Sequence, residues 1–585
     1  MERLGLFENE NKKADGTYYG FFHDANEAGY VTGFSKLYKG SSDAGEATWI
    51  FDGEVSKRIG LFDGVHVRED GYQKSMFRNL SGNGNVAGNS IQYNGSKKSG
   101  QSAWFYNGTD TQSIGLSGES YANYKGYGDS NVIKLNDTGQ AIGLSKRYKG
   151  RFTMGQSAWL YSNGETKRIG LIDGEHTSSA NNQQSSKPHF VNESGRVAGV
   201  SIRFGSGAAY RDGIGNSPWL FDGTKTQRIG FTDSEHTRDD GYRFSTVVNI
   251  NELGQVAGNT KKYIDNSGAG KSSWIYSAGR TTRIGLTDSE HTRDTGYQNS
   301  LTSALNNKGQ VIGTSSRFEG HEILGESAWI YRENHTVRIG LTDADHTRDD
   351  GYQDSKAHIL SDEGFVTGRS NRFVGNLEIG QSAWVYKDNK TKRVGLTGHQ
   401  YTRKDGFQKS FAFYPNKLGQ VIGRSHRYNG DKNNGQTSWF YDPKSDTSHE
   451  LSLSENSEGY AYSQAYYLSD KGVVLGAYSL FGEDDKLIGK RAFYFTLEGG
   501  MLDLGELALG QGLDVSKYDW SNLGSASFAS AYGHIVGNGA TSDESGAVYL
   551  LKPVSGHSVS VIPYIAGGST LVGIILLGVW YRKRA

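Results

Sequence analysis

Three loops carry the residue types that do chemistry. They read TDSEHTRDDGY at Thr232–Tyr242, TDSEHTRDTGY at Thr287–Tyr297 and TDADHTRDDGY at Thr342–Tyr352. Carboxylates beside an imidazole can ligate a cation, which nominates Asp233, Glu235, His236 and Asp239 in the first loop and Asp288, Glu290, His291 and Asp294 in the second. The spacing fails the D-x-D-x-D-G calcium pattern, because Thr237 and Arg238 stand where a third acidic ligand and a glycine belong. No cofactor is expected, and calcium lacks support from ligand spacing. A structural role, with Arg238 paired to a neighbouring repeat's carboxylate, is the stronger expectation. The matching loops at Ser117–Tyr127 and Ile172–Asn182 lack or thin this set. Catalysis needs one asymmetric cluster, so no catalytic residue is assigned.

A second set pairs a cation with an aromatic ring: Arg147-Tyr148, Arg203-Phe204, Lys262-Tyr263, Arg317-Phe318, Arg372-Phe373 and Arg427-Tyr428. Rings beside polar donors suit a sugar, which stacks its C–H face on the ring and bonds through its hydroxyls. The competing reading packs each ring between repeats and leaves the arginine solvated.

Both sets recur because the whole chain recurs. Tryptophan stands at Trp49, Trp104, Trp159, Trp219, Trp274, Trp329, Trp384 and Trp439, every 55 residues except for the 60 between Trp159 and Trp219. A fixed period of this length means one small supersecondary unit stacked on its copies. In the fifth repeat the segments STVVNINELG, QVAGNTKKY, KSSWIY and TTRIGL are short, β-branched and partly alternating, as antiparallel strands are. The first two meet at an N-x-x-G turn, as in Asn251 to Gly254 and Asn306 to Gly309, where the glycine can take positive φ. Glycines inside strands, Gly258, Gly313 and Gly423 in V-x-G or I-x-G and Gly60, Gly170, Gly230, Gly285 and Gly340 in R-I-G-L, predict a bulge or the close approach of a neighbour.

Four strands in about 55 residues predict an all-β chain of propeller blades, about ten of them, closed in one ring or divided between two. The tenth copy lacks its last strand, whereas the chain begins with one, Glu2-Arg3-Leu4-Gly5-Leu6. Pairing the two would complete the final sheet and close the ring. Residues 1–556 then form the repeat domain, and 557–585 a C-terminal segment.

Lys+Arg and Asp+Glu are 63 each, so no overall field favours nucleic acid. Cysteine is absent, which excludes disulfides and thiolate chemistry. From Val561 to Tyr581 no residue is charged, and Arg582, Lys583 and Arg584 follow. At about 1.5 Å per residue such a helix spans a bilayer. The basic end would stay in the cytoplasm and the repeats outside it, in the periplasm or at the cell surface. The start, MERLGLFENENKK, shows no export signal, so either the true start lies upstream of Met1 or the protein is a cytosolic tail-anchored one, and a chain that begins in mid-repeat favours the first.

Two resemblances add to this. LSDKGVVLGAYS at Leu468–Ser479 and RAFYFTLEGGMLDLGEL at Arg491–Leu507 resemble the bacterial HAF-type extracellular repeat, which the earlier repeats fit as N-x-x-G-Q-V-x-G, S-A-W-x-Y and R-I-G-L. The likeness covers the repeat region and implies an exported bacterial protein of undefined role. The tail, with Gly567-Gly568, the run to Tyr581 and Arg582–Arg584, resembles the GlyGly-CTERM sorting signal. That implies cleavage near the glycines by a rhomboid-like protease. The sequence as a whole leads to a non-enzymatic surface repeat protein that binds or scaffolds a ligand, with polysaccharide first and an envelope protein second. A polysaccharide hydrolase or lyase is the third reading.

Overall fold

The structure is a computed structural model, and it describes residues 1–552 apart from 206–212, 511–512, 519, 531 and 544–545. The sixth repeat shows how the sequence sets its elements. Strands Gln298–Leu305, Val311–Glu319, Glu322–Arg332 and His335–Ile339 pair antiparallel in chain order. Alternation in the sequence is only partial because both faces are covered: Ser327, Ala328, Trp329, Ile330 and Tyr331 are buried in succession.

The turn between the first two strands does two jobs. Gly309 has φ of +77°, the conformation that glycine adopts without a Cβ penalty. Asn306 accepts from the Gln310 N–H through Oδ1 at 2.9 Å and donates through Nδ2 to the Ser361 carbonyl of the next repeat, also at 2.9 Å. Asn136, Asn192 and Asn251 donate to Asn192, Asn251 and Asn306 in the same way, at 2.8, 3.0 and 3.0 Å. The motif that shapes each hairpin therefore also stitches it to its neighbour.

The core lies between repeats rather than within them. Trp329 and Tyr331 of the sixth repeat pack with Ala257, Ile275 and Ile284 of the fifth. Trp384 and Tyr386 meet Ile312, Ile330 and Leu341 of the sixth likewise. The strand glycine leaves room for the indole, since a Cβ on Gly313 would stand 2.3 Å from Trp329 Cζ2 and 2.1 Å from the Leu301 carbonyl oxygen. The neighbour that approaches it is thus the tryptophan of its own sheet. The R-I-G-L glycine meets the next repeat instead, with Ser300 Oγ 2.2 Å from the Cβ position of Gly285.

The chain divides into two compact units, Gly60–Arg393 and Met1–Ile59 with Val394–Ala585. In the first, strands from Ser130–Leu135 onward follow one another in chain order, and each repeat is hydrogen-bonded to the next by a short parallel step. Gly325 and Glu326 pair with Gln353 and Asp354, as Gly155, Gly215 and Gly270 pair with Gln184, Arg243 and Gln298. In the second unit Gly435 pairs with Ala461 in the same manner, and the N-terminal strand Glu2–Leu4 pairs antiparallel with Ala547–Leu551. That last pairing is the one expected from the offset between the chain's first strand and its tenth repeat.

Two expectations are corrected here. Hydrogen bonding that runs on from one repeat to the next makes an all-β solenoid, and the separate blades of a closed propeller are not what these strands form. A propeller's blades meet only through side chains, whereas these repeats share backbone hydrogen bonds. The expected membrane helix is corrected as well, because no helix among the described residues is long and apolar enough to cross a membrane. Residues 561–581, Gly567, Gly568, Arg582, Lys583 and Arg584 lie outside the described residues. The membrane-anchored placement built on that segment is therefore unsupported.

Candidate functional site

Each chemistry-bearing loop leaves the fourth strand and enters a single 3-10 turn, Ser234–His236, Ser289–His291 or Ala344–His346. The turn drives its histidine inward. His236 Nδ1 lies 2.6 Å from Asp233 Oδ1, and its Nε2 lies 2.9 Å from Ser272 Oγ on the third strand of the following repeat. The same chain links Asp288, His291 and Ser327, then Asp343, His346 and Ser382, with Asp63, His66 and Ser102 as an earlier copy. Carboxylate, imidazole and hydroxyl in line are the connectivity of a nucleophilic triad. These serines, however, are between 0% and 7% exposed, and no substrate reaches a hydroxyl so covered. The chain acts as a peg that fixes each loop to the next repeat.

Burial pushes His236, His291 and His346 below the ordinary histidine range, against the pull of the paired aspartates. The neutral ring donates from Nδ1–H to the aspartate and accepts the serine O–H at Nε2. An unfolded histidine, with a pKa of about 6.5, takes up a proton more readily than the folded one. The pegs' contribution is thus complete above that pH and drains away as pH falls below it. We expect the denaturation midpoint to drop between pH 7.5 and pH 5, and His291→Gln to shrink that drop.

The remaining acidic residue of each loop is taken by cations of the next repeat. Glu235 lies 2.8 Å from Lys262 Nζ and 3.3 Å from Arg283, while Glu290 lies 3.4 Å from Arg317 and 3.3 Å from Arg338. Burial raises the Glu235 pKa, but Lys262 and Arg283 outweigh it and leave the group below its usual range. Asp233, Glu235 and His236 do converge, with ligand atoms within 4.8 Å of one another. A metal ion there would have to displace Lys262 and Arg283 and break the histidine's two bonds. Asp239 turns away to accept from Asn266 at 2.8 Å, and Asp294 is exposed. Arg238 pairs with Asp240 of its own loop at 2.7 Å, so the neighbour's partner is Glu235 and not the expected arginine.

The cation–aromatic pairs are largely inside. Arg203, Arg317, Arg372 and Arg427 are buried, and so are Phe204, Phe318, Phe373 and Tyr428. Arg317 also donates to the Gly351 carbonyl at 2.9 Å, Arg372 faces Asp345 at 3.6 Å, and Arg427 faces Glu455 at 2.6 Å. Phe318 and Phe373 meet Tyr297 and Tyr352 edge to face at 5.8 Å. Arg147 and Tyr148 are half-buried, with Arg147 donating to the Asn182 carbonyl at 3.3 Å. Sequence spacing kept apart two sets that the fold joins: the cations of one serve the carboxylates of the other.

What remains open lies beside them. Where the fifth repeat meets the sixth, a cleft of about 600 Å³ is lined by Tyr242, Tyr263 and Tyr297 together with Lys261, Lys271 and Asn299. Tyr242, Tyr297, Lys261, Lys271 and Asn299 are partly exposed. Lys261 Nζ stands 5.2 Å from the Phe244 ring centre and 5.8 Å from that of Tyr242. Lys271 went unnoticed in the sequence, although it replaces the Gln or Glu of Q-S-A-W and E-S-A-W in GKSSW. A second cleft, of about 380 Å³ at the hairpin turns, is lined by Asp137, Glu193, Glu252 and Asp362. Those carboxylates accept from the turn N–H groups of Gly82, Thr138, Glu193 and Asn307, at 2.7 to 3.0 Å, and so bind repeat to repeat.

Comparison with known proteins adds a match of one family model to part of the chain and little else. The family model described as "Protein of unknown function (DUF3466)" matches residues 159–321. None of the curated proteins matches. Among solved structures, the chain is similar at 7% identity and a TM-score of 0.28 to the β-propeller domain of the Trilobed protease from Pyrococcus furiosus, covering 62% of this chain and 92% of that one. Pyrococcus horikoshii acylaminoacyl peptidase is similar at 8% identity and a TM-score of 0.31, over 69% and 57% of the two chains. A mutant of AofleA from Arthrobotrys oligospora gives 9% and 0.23, over 57% and 95%. Scores this low carry no argument about fold or activity.

Proposed function

We propose that this protein is a non-catalytic repeat scaffold that binds a polysaccharide in the cleft between its fifth and sixth repeats. The observation that carries this reading is the cleft's lining, in which tyrosine rings stand beside amide and ammonium donors. Its size falls within the range of small-ligand sites, and rings flanked by a few polar groups suit a pyranose. The solenoid adds a repeated surface along which a polymer can lie, so weak contacts at successive repeats would sum through avidity.

Binding of the purified chain to a glycan array tests this. We expect a selective response, with Tyr242→Ala and Tyr297→Ala each weakening it about tenfold, the loss of roughly 1.4 kcal/mol. Arg317→Ala should lower stability instead, because Arg317 is itself buried and holds Glu290 and the Gly351 carbonyl. An array without selective binding, or tyrosine variants that bind unchanged, would overturn the proposal.

A further inference from the structure

The fifth repeat breaks a rule that the other repeats keep. Antiparallel register sets Lys261 directly opposite Lys271. The equivalent pairs elsewhere are Lys36 with Glu46, Ile91 with Gln101, Lys146 with Gln156, Ser316 with Glu326, Asn371 with Gln381 and His426 with Gln436. In the first repeat the pair is a salt bridge of 2.9 Å. Side chains placed this way stand about 5 Å apart at Cβ, and like charges there oppose pairing. Among the described residues neither Lys261 nor Lys271 forms an ion pair, whereas adjacent Lys262 is held by Glu235 at 2.8 Å.

A separate observation points into the same cleft. Tyr263 is 8% exposed, lines the cleft, and has a buried hydroxyl without a hydrogen-bond partner. Burial pushes its pKa up to about 12, so the group stays an O–H donor at neutral pH. A buried donor without an acceptor is costly, and like charges paired across two strands oppose that pairing when no counter-charge offsets them. One anionic oxygen group would relieve both.

Resting on the polysaccharide reading, we infer that the ligand is an acidic polysaccharide, whose carboxylate or sulfate group sits between Lys261 and Lys271 within reach of the Tyr263 hydroxyl. The lysines supply charge-assisted donors, and the tyrosine rings take the sugar carrying the anion.

The test compares the full chain with Lys271→Glu, Lys271→Gln and Tyr263→Phe, using neutral, uronate-bearing and sulfated polysaccharides of matched length. The wild type should prefer one acidic class over the neutral one, and which class it prefers identifies the anion. Binding should weaken as salt rises, fall at least tenfold in Lys271→Glu, and fall less in Lys271→Gln and Tyr263→Phe. Without ligand, Lys271→Glu should raise the unfolding midpoint, since it restores the opposite-charge arrangement of the first repeat. Millimolar sulfate should raise the midpoint of the wild type more than that of Lys271→Glu. Equal binding of neutral and acidic glycans with unaffected lysine variants would overturn the anion seat and leave the polysaccharide reading standing. Sulfate stabilisation lost in Lys271→Glu, with no glycan bound, would keep the anion seat and overturn the polysaccharide.

Discussion

Replacing Trp329 by alanine is expected to cost about 3–5 kcal/mol of folding stability, the range for deleting a large buried aromatic side chain. The ring is fully buried against the preceding repeat, so the cavity would open at a joint between repeats. Trp329→Phe should cost far less for two reasons. The indole Nε1 has no hydrogen-bond partner to lose, and the ninth repeat already uses Phe493 opposite Gly476, where Trp329 stands opposite Gly313. Chemical denaturation of the three proteins side by side checks this. Equal losses for alanine and phenylalanine would show that the ring's shape, rather than its bulk, holds the joint.

Gly325→Ala should cost about 2–6 kcal/mol, combining backbone strain with overpacking. Gly325 has φ of +90°, and an added Cβ would stand 1.9 Å from the Gln353 carbonyl oxygen of the next repeat. Gly351→Ala is the matched control, because Gly351 also has positive φ, +82°, but open space around its Cβ position. The difference between the two denaturation midpoints isolates the parallel step between repeats. Should they lose the same stability, that step would contribute nothing measurable, and strain alone would explain both.

The tryptophan period was legible because a residue buried at every joint must recur at every joint. The N-x-x-G hairpins were legible for the same reason, since Asn306 and Gly309 act within one turn. Asn306's bond to Ser361 was not, because the hairpin alone accounts for an asparagine there. The parallel step escaped notice on similar grounds: Gly325 and Gly270 read as loop glycines until the neighbouring carbonyl is placed against them. That omission is what turned a continuous solenoid into separate blades. At the candidate site, periodicity gathered arginine with phenylalanine correctly but could not say which way Arg317 points. Its aim at Glu290 and the Gly351 carbonyl depends on two loops, one leaving the preceding repeat and one leaving its own. The lysine pair needed register as well as composition, since Lys261 and Lys271 become opposed only once the hairpin is counted residue by residue.

The pairing of Glu2–Leu4 with Ala547–Leu551 also sets an order of events during synthesis. Arg3 faces Tyr549, 546 residues further on, so a ribosome must deliver that whole stretch before the strand Glu2–Leu4 meets its partner. The six repeats of Gly60–Arg393 bond mostly to immediate neighbours and can condense as they emerge. Until then the strand Glu2–Leu4 stays without that partner. Closing so long a loop carries an entropic cost that grows only with the logarithm of its length, so the delay is mainly one of supply. Translation speed past the ninth repeat would then govern how long an unpaired strand edge stays open to other nascent chains.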